Sequence, residues 1–316
     1  MRMIVTLTPN PSVDRTMSFE RIALGEVQRA ASGRIDPGGK GINVSRALAA
    51  NETPTLAVLP AGGPEGHLLT ELLDAARVPH LAVEIAGSAR MNIAAVEPDG
   101  TTTKLNEAGP HLTDAEVSAL FGATARACVS ASWVVGCGSL PPGVPTTLYA
   151  ELVRRMSGRG VKVAIDTSGA PFPLAVAARP HLIKPNHEEL AELVGRPLST
   201  VGDVVDAARE LVADGVETVV VSLGADGAIA VTADELVWAG AKIADPLSTV
   251  GAGDCLLAGF LHSTVAGGDL EAALREGVRW GAAAVRLPGS QVPHLEDLTD
   301  IEVHSTRTPQ LDRVIS

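Results

Sequence analysis

The sequence predicts an α/β fold in which helices cover both faces of a doubly wound, mostly parallel sheet. Short apolar runs, typical of buried parallel strands, alternate with segments of helical period along most of the chain. Of the 316 residues, 46% are hydrophobic but only 3% are aromatic. Small and aliphatic side chains therefore fill the core, as is usual where helices pack on a parallel sheet.

The order of these segments predicts the individual elements. Six apolar runs are expected to be parallel strands, at residues 4–7, 55–59, 132–136, 161–165, 181–184 and 218–223. Helices are expected between most of them, at 42–50, 68–76, 114–127, 145–156, 188–194 and 201–213. The last third adds β runs at 227–231 and 235–238, then helices at about 252–266 and 269–286. We find no repeat or low-complexity linker and expect one domain over residues 1–316.

Two stretches interrupt this alternation because neither contains a crossover helix. Residues 12–36 are expected to form two strands joined by a turn at Gly25. Residues 88–106 are expected to form a hairpin that turns at Pro98-Asp99-Gly100. Together they predict a small antiparallel sheet that projects from the main domain.

Charge and cysteine content limit the partners and the compartment. The net charge of −12 argues against nucleic acid and anionic membranes, although it leaves room for a small anionic substrate at a local basic cluster. Cys128, Cys137 and Cys255 form no CxxC pair, which indicates a reducing compartment. The sequence shows no signal peptide and no membrane-spanning apolar run, so we expect a cytoplasmic protein.

The stretch "TVGAGD" carries the most specific chemical signal. Gly251, Ala252 and Gly253 leave their N–H groups accessible and lead into a helix N-terminus, where negative charge is favoured. Asp254 in the first turn has two interpretations. It is either a capping carboxylate or a general base that takes a proton from an attacking hydroxyl beside a phosphate-sized anion hole.

A second glycine turn, "DPGGKGINVSRALA", enters another helix. Lys40 adds a positive charge at its start, and Asn43 lies one turn further on, within reach of sugar hydroxyls. The alternative is an ordinary helix entry with a solvated lysine. Asp14 follows the first strand at its carboxyl end, where open α/β sheets bind ligands, although an Asp there is also a common turn residue.

Two later strands also end in polar turns. In "HLIKPNHEEL", Lys184 closes a strand, and Asn186 with Glu189 predicts either a capping box or a pair that positions metal-bound water near phosphates. In "VVVSLGADGAI", the flat turn suits the phosphates or ribose of a nucleotide.

Taken in order, seven motifs resemble the phosphofructokinase-B branch of the ribokinase-like carbohydrate kinases. They are "NPSVD", "GGKGINVSRAL", "ARMN", "GSLPPG", "KPNHEEL", "SLGADGA" and "TVGAGD", and the resemblance runs from about residue 4 to about residue 290. It implies a doubly wound α/β domain with a small β lid, which corresponds to the two stretches without helices. It also implies a homodimer joined through these lids.

The resemblance implies a role for each matching residue. Asp254 would be the catalytic base, with the N–H groups of Gly251, Ala252, Gly253 and Asp254 as the anion hole. The sugar phosphate would be held by Asp14, Gly39, Lys40, Asn43, Arg90 and Ser139, with Lys40 and Arg90 on its phosphate. ATP would be held by Lys184, Asn186, Ser222, Gly224 and Gly227, and Glu189 would bind Mg²⁺ through water. Ser248 stands where potassium-activated relatives keep an Asp, so we expect no strong monovalent-cation site.

The expected activity is ATP-dependent phosphorylation of a ketohexose phosphate. "DGTTTKLNEAGP" is most similar to 1-phosphofructokinases, which favours fructose 1-phosphate; tagatose 6-phosphate and fructose 6-phosphate are the alternatives. Lys40 and Arg90 argue against a nucleoside kinase or a kinase of unphosphorylated sugars. "LTPNPSVD" lacks the glycines of a dinucleotide-binding oxidoreductase. The intact glycine turn with Asp254 argues against a non-catalytic sugar-phosphate sensor.

Overall fold

Strands and helices alternate along the chain in the predicted order. The structure is a computed structural model that describes residues 2–315. Its strands are β1 (Met3–Leu7), β2 (Ser12–Ser18), β3 (Ser32–Gly38), β4 (Thr55–Ala61), β5 (His80–Glu84), β6 (Arg90–Val96), β7 (Thr102–Asn106), β8 (Ala131–Cys137), β9 (Lys162–Asp166), β10 (Leu182–Ile183), β11 (Thr218–Ser222), β12 (Ala228–Val231), β13 (Leu236–Ala241) and β14 (Val303–Thr306).

The helices separate most of the parallel strands, as the sequence predicts. They are α1 (Lys40–Ala50), α2 (Gly63–Ala75), α3 (Asp114–Ala127), α4 (Leu148–Ser157), α5 (Pro171–Ala177), α6 (His187–Val194), α7 (Val201–Ala213), α8 (Ala252–Val265) and α9 (Leu270–Ala284). In the described residues, 2–315, no helix is both long and apolar enough to cross a bilayer.

Ten strands form the large sheet, in the order β14-β13-β12-β11-β10-β9-β8-β1-β4-β5. The seven from β11 to β5 pair in parallel, and β12, β13 and β14 add antiparallel pairs at one edge. The chain moves from β1 to β4 on one side, whereas β8 lies on the other. The strand order therefore reverses at β1, and such sheets bind ligands at the carboxyl ends of the strands at this point.

Apolar layers cover both faces of this sheet, which confirms the doubly wound α/β fold. One face packs against α3, α4, α5, α6 and α7, with Tyr149 and Leu152 fully buried in that layer. The other packs against α1, α8 and α9, with Leu257 and Trp280 at its centre. Neighbouring residues of one strand pack into opposite layers. Val5 belongs to the layer with α3 to α7, and Ile4 belongs to the layer with α1, α8 and α9.

Three elements were not predicted from the sequence. β5 is an edge strand with little buried surface, so it carries no continuous apolar run. α5 begins with two prolines in its first three residues, which obscures the helical pattern, although proline suits a first helical turn. β14 is also an edge strand, with one buried residue among its four.

The two stretches without crossover helices meet in a separate four-stranded sheet, the small sheet, in the order β3-β2-β6-β7. Each stretch is antiparallel within itself, and the two join through parallel pairing of β2 with β6. The β2–β3 pairing ends at Ser18 opposite Ser32, so Gly25, at a φ of 82°, lies inside a long connection. The β6–β7 turn closes where Glu97 and Thr101 hydrogen bond, with Gly100 at a φ of 88°.

Candidate active site

The glycine turn before α8 presents unpaired N–H groups at the carboxyl ends of the strands. Gly251 has a φ of 79°, a left-handed conformation that favours glycine. Within residues 2–315, no group accepts a hydrogen bond from the N–H of Gly251, Gly253 or Asp254. A Cβ on Gly253 would lie 3.2 Å from Lys184 Nζ. The turn therefore offers N–H groups and an adjacent ammonium to an anion.

Asp254 is buried in the first turn of α8, and its carboxylate bonds to a side chain from another helix. Asn43 Nδ2 of α1 donates to Asp254 Oδ2 at 2.9 Å. No N–H of α8 donates to this carboxylate among the hydrogen bonds of residues 2–315, so Asp254 is not acting as a helix cap. Burial and the nearby Asp166 raise its pKa to about 6, against the opposing effects of Lys40, Asn43 and Lys184. At neutral pH it is mostly ionised and able to accept a proton.

Two lysines converge on Asp166, a buried residue that ends β9. Lys40 Nζ lies 2.7 Å from Asp166 Oδ1, and Lys184 Nζ lies 3.1 Å from Asp166 Oδ2. Burial tends to raise the pKa of Asp166, but the two ammonium groups outweigh it and hold the pKa below its ordinary value. Asp166 was not identified from the sequence. The signal was present, because Asp166 directly follows the apolar run predicted at residues 161–165.

Asn186 and Glu189 form the capping box that the sequence allowed. Asn186 N donates to Glu189 Oε2 at 2.9 Å, and Glu189 N donates to Asn186 Oδ1 at 2.7 Å. The other carboxylate oxygen, Glu189 Oε1, lies 3.7 Å from Lys40 Nζ. One side chain thus caps α6 and also faces the lysine cluster. Asn186 further pairs with Ser222 in a β-bridge, which brings the two predicted nucleotide segments together.

The turn after Ser222 depends on two glycines. Gly224 and Gly227 have φ values of 59° and 92°. A Cβ on Gly227 would lie 2.2 Å from the carbonyl oxygen of Ala239 in β13. Gly227 therefore lies closely against β13, whereas a Cβ on Gly224 would meet open space.

Asp14 of β2 lies against the glycine turn that opens α1. Its Oδ1 accepts from Ser12 Oγ at 2.6 Å and from Asn92 Nδ2 at 3.0 Å. A Cβ on Gly38 would lie 2.2 Å from Asp14 Oδ2, so any larger residue there would displace this carboxylate. Gly39 follows with a φ of 116° as the N-cap of α1. Ser12 and Asn92 were missed, although Asn92 is the last residue of "ARMN".

Arg90 and Ser139 meet around Asn10 rather than at the lysine cluster. The guanidinium of Arg90 donates to the carbonyl oxygens of Glu107 at 3.0 Å and Asn10 at 3.1 Å. Asn10 Nδ2 donates to Ser139 Oγ at 3.2 Å. Arg90 Nε is buried and has no partner among the described residues. Hydrogen bonds link these groups to one another, whereas Lys40 pairs with Asp166 and Glu189.

The site joins carboxylates, ammonium groups and free N–H groups in one crevice. α1 links its parts, because Lys40 contacts Asp166 and Glu189 while Asn43 contacts Asp254. In residues 2–315, no cluster of three or more His, Cys, Asp or Glu side chains can hold a metal ion. A divalent ion at this site would depend on water and on phosphate oxygens, as Mg²⁺ commonly does.

Comparison with known proteins identifies a family for this geometry. The model for "pfkB family carbohydrate kinase" matches residues 7–298. The chain is 39% identical to a 1-phosphofructokinase of Haloferax volcanii, over 97% of this chain and 100% of that protein. It is 36% identical to an ATP-dependent 6-phosphofructokinase isozyme 2 of Mycobacterium tuberculosis, over 93% of this chain and 87% of that one.

A solved structure shares nearly the whole architecture. Phosphofructokinase-2 from Escherichia coli, in complex with substrates and products, superposes with a TM-score of 0.90 at 33% identity, covering 95% of this chain and 98% of that chain. The likeness therefore extends along almost the full length of both chains.

Proposed function

The chain belongs to the pfkB family of carbohydrate kinases, and on that premise we propose that it transfers the γ-phosphoryl group of ATP to fructose 1-phosphate, giving fructose 1,6-bisphosphate. The observation that carries this proposal is the buried carboxylate of Asp254 beside the unpaired N–H groups of the glycine turn. A base and an anion hole at one point are what hydroxyl-to-phosphoryl transfer requires.

The choice of sugar rests on the relatives. Proteins named 1-phosphofructokinase, at 30–39% identity, favour fructose 1-phosphate. Fructose 6-phosphate is the second candidate. The Mycobacterium tuberculosis relative is named ATP-dependent 6-phosphofructokinase isozyme 2, and the Escherichia coli structure is named phosphofructokinase-2. Tagatose 6-phosphate has the same charge and size and is the third.

Asp254 would act as the general base. Its carboxylate takes the proton of the attacking sugar hydroxyl, the hydroxyl oxygen bonds to the γ-phosphorus, and the bond to the β–γ bridging oxygen breaks to release ADP. A base with a pKa of about 6 is ionised at neutral pH and yet returns the proton readily to solvent after transfer.

Negative charge on the moving phosphoryl group would be met from two sides. The free N–H groups of Gly251, Gly253 and Asp254, with the dipole of α8, support an anion hole; the N–H of Ala252, predicted to belong to it, donates instead to the carbonyl oxygen of Thr249 at 3.4 Å. Lys40 contacts Asp166 and Glu189, and these contacts support placing its ammonium next to the moving phosphoryl group. Lys184 lies over Gly253 on the nucleotide side.

Mg²⁺ would be held through water by Glu189, whose Oε1 faces the site while Oε2 completes the cap of α6. When bound with ATP, it neutralises charge on the phosphates. The carboxylate, together with phosphate oxygens and water, makes a donor set that fits a hard cation.

The sugar phosphate would lie along the inner edge of the small sheet. The hydrogen-bonded Asp14 and the amide of Asn43 support contacts to its hydroxyls, next to the bare backbone of Gly39. Arg90, with its unpartnered Nε, supports a clamp on the resident phosphate, and Ser139 adjoins it through Asn10. ATP would lie along the bridged segments that carry Lys184, Asn186, Ser222, Gly224 and Gly227.

We further propose that the small sheet, about residues 12–36 and 88–106, is a lid on a single kinase domain and joins two copies in a homodimer. Exposed Leu24, Val27 and Leu105 on this sheet and its connection support the idea. Sedimentation velocity at micromolar concentration measures it directly, and a monomer throughout would refute it. The free, buried thiols of Cys128, Cys137 and Cys255 support a reducing, cytoplasmic location.

One assay tests the proposed activity. ADP release is measured with fructose 1-phosphate, fructose 6-phosphate, tagatose 6-phosphate and unphosphorylated fructose, each with the wild type and with Asp254→Asn. The highest kcat/KM is expected for fructose 1-phosphate, with the variant inactive on every sugar. A preference for fructose 6-phosphate would select the second candidate, and no ADP release from any sugar would refute the kinase activity.

A further inference from the structure

Arg46 is a buried cation on α1 whose contacts lie away from the reacting groups. Its Nη1 donates to the carbonyl oxygens of Pro37 at 3.1 Å and Ser290 at 2.9 Å, and to Asn43 Oδ1 at 3.0 Å. The other side of the same Asn43 amide donates to Asp254. The guanidinium is therefore one side chain removed from the base.

This arrangement determines which way the Asn43 amide points. Arginine has donors but no acceptor, so only the oxygen of Asn43 can face it. The amide nitrogen must then face Asp254. A rotated amide would set its NH₂ against the guanidinium and its oxygen against the carboxylate, which loses both hydrogen bonds and adds a repulsive contact on each side.

We propose that Arg46 is a positioning residue for catalysis: by holding the oxygen of Asn43, it keeps the amide N–H directed at Asp254 and so keeps that carboxylate in its ionised, proton-accepting form. The inference rests on the proposed function, since it needs Asp254 to be the base. Arg46 itself touches neither substrate nor phosphoryl group in this scheme. Its effect reaches the reaction through Asn43.

The backbone contacts of Arg46 give it a fixed position from which to act. Pro37 belongs to β3 at the entry to α1, and Ser290 lies in the segment after α9. Asp36, also buried, lies 3.8 Å from Arg46 Nη2 and is held by Arg34 as well. These three anchors, from two parts of the chain, leave the guanidinium no freedom to follow a rotating amide.

The predicted signature is the pH dependence of kcat. The groups that face Asp254 are Asp166 of β9, Lys184 after β10, and Lys40 and Asn43 of α1. The neighbouring thiols of Cys137 and Cys255 have raised pKa values because they are buried, so they stay neutral. If the Asn43 donor is lost, the ionised form of Asp254 loses a charge-assisted hydrogen bond. The acidic limb of the profile then moves to higher pH, because a more alkaline solution is needed to ionise the base.

The test is a double-mutant cycle on that limb, measured as kcat at saturating ATP and sugar phosphate from about pH 5 to pH 9. Arg46→Met is expected to raise the midpoint by about one pH unit, which corresponds to the loss of one hydrogen bond to a charged group. Asn43→Leu should raise it by a similar amount. Adding Arg46→Met to Asn43→Leu should then change the midpoint little, because the path through Asn43 is already broken.

Asn51→Leu is the matched control. Asn51 is buried directly after the same helix and donates to the carbonyl oxygens of Ala47 and Pro293, both at 2.9 Å, so it anchors the same C-terminal segment as Arg46. Its loss should lower the melting temperature without moving the midpoint. If Arg46→Met does not fold, Arg46→Gln keeps a hydrogen-bonding side chain but offers an acceptor as well as donors, so it does not fix the orientation of the Asn43 amide. It should move the midpoint in the same direction.

Two results would overturn the inference. One is an unchanged midpoint in a folded Arg46 variant. The other is a shift by Arg46→Met that is equally large in the Asn43→Leu background. Both are distinct from failure of the proposed function, in which the wild type itself phosphorylates no sugar or Asp254→Asn retains its rate.

Discussion

Asp254→Asn is expected to remove catalysis and at the same time make the protein more stable. The carboxylate is buried at the N-terminus of α8, and this burial, together with the neighbouring Asp166, raises its pKa from an ordinary 3.8 to about 6. An unfolded chain ionises this group far more easily than the folded one does. The ionised carboxylate therefore destabilises the fold at neutral pH, and a neutral amide of the same shape does not.

The size of the effect follows from that difference in pKa. Each pH unit corresponds to about 1.4 kcal/mol, so ionised Asp254 costs the folded state about 3 kcal/mol above pH 6. Between pH 6 and 3.8 the folded state holds more protons than the unfolded state, so the cost falls as the pH falls, and it vanishes below 3.8. The side-chain oxygen of the substituted amide would still accept the hydrogen bond from Asn43, which preserves the local geometry.

Urea unfolding of the wild type and the variant at pH 7.5 and pH 4.5 measures this directly, with kcat from the ADP-release assay at pH 7.5. We expect the variant to be more stable by about 1–3 kcal/mol at pH 7.5 and by clearly less at pH 4.5, with kcat reduced at least about a hundredfold. Asp203→Asn is the control: Asp203 is a partly exposed capping residue whose pKa is lowered by hydrogen bonds from Thr200 and Ser199. Its loss should decrease stability.

Two outcomes would refute the reasoning. A variant that is no more stable than the wild type at pH 7.5 would mean that the buried, ionised Asp254 does not destabilise the folded state. A variant that keeps most of its kcat would mean that Asp254 is not the base.

Three further predictions concern the charged groups around the base. Arg90→Ala should raise the sugar-phosphate KM about tenfold to a hundredfold and leave the KM for ATP nearly unchanged, since one charge-assisted contact is lost; equal rises in both would argue against a clamp. Lys40→Met should lower kcat about 10²–10³-fold in steady-state assays, because it removes a cation that contacts the moving phosphoryl group. An effect confined to KM would instead indicate that Lys40 binds the phosphate already on the sugar. Glu189→Gln retains the cap of α6 but should raise the Mg²⁺ concentration that gives half-maximal rate about tenfold, as measured in a Mg²⁺ titration. The matched capping variant Asp203→Asn should leave that concentration unchanged.

Periodicity predicted most of the fold because the core strands are apolar along their whole length. The bounds of α3 and α7 agree with those predicted, at 114–127 and 201–213, since each begins at a capping box, Thr113 with Glu116 and Thr200 with Asp203. Edge strands β5 and β14 were missed because half-exposed strands carry neither a continuous run nor strict alternation.

The site was less predictable than the fold, and for a different reason. Glycine turns and the residues that follow strands indicate where a ligand can bind, so Asp14, Lys40 and Asp254 could be identified as candidate site residues. What a side chain contacts depends on tertiary neighbours. Nothing local in the sequence indicates that Lys40 pairs with Asp166, or that Glu189 serves both a cap and the lysine cluster.

Helix α1 is made early in synthesis, but its polar face is completed late. The hydrogen-bond partner of Asn43, Asp254, is synthesised 211 residues later, and the carbonyl of Ser290 that binds Arg46 is 244 residues away. At about 5–20 residues per second, a ribosome needs roughly 10–40 s to cover the first of these distances. During that time, closing α1 over the emerging strands would bury Arg46 without its acceptor at Ser290 and Asn43 without Asp254, which is costly. We therefore expect α1 of a nascent chain, or of one cut short before residue 254, to stay accessible to chaperones and proteases and not to pack into a stable half-domain.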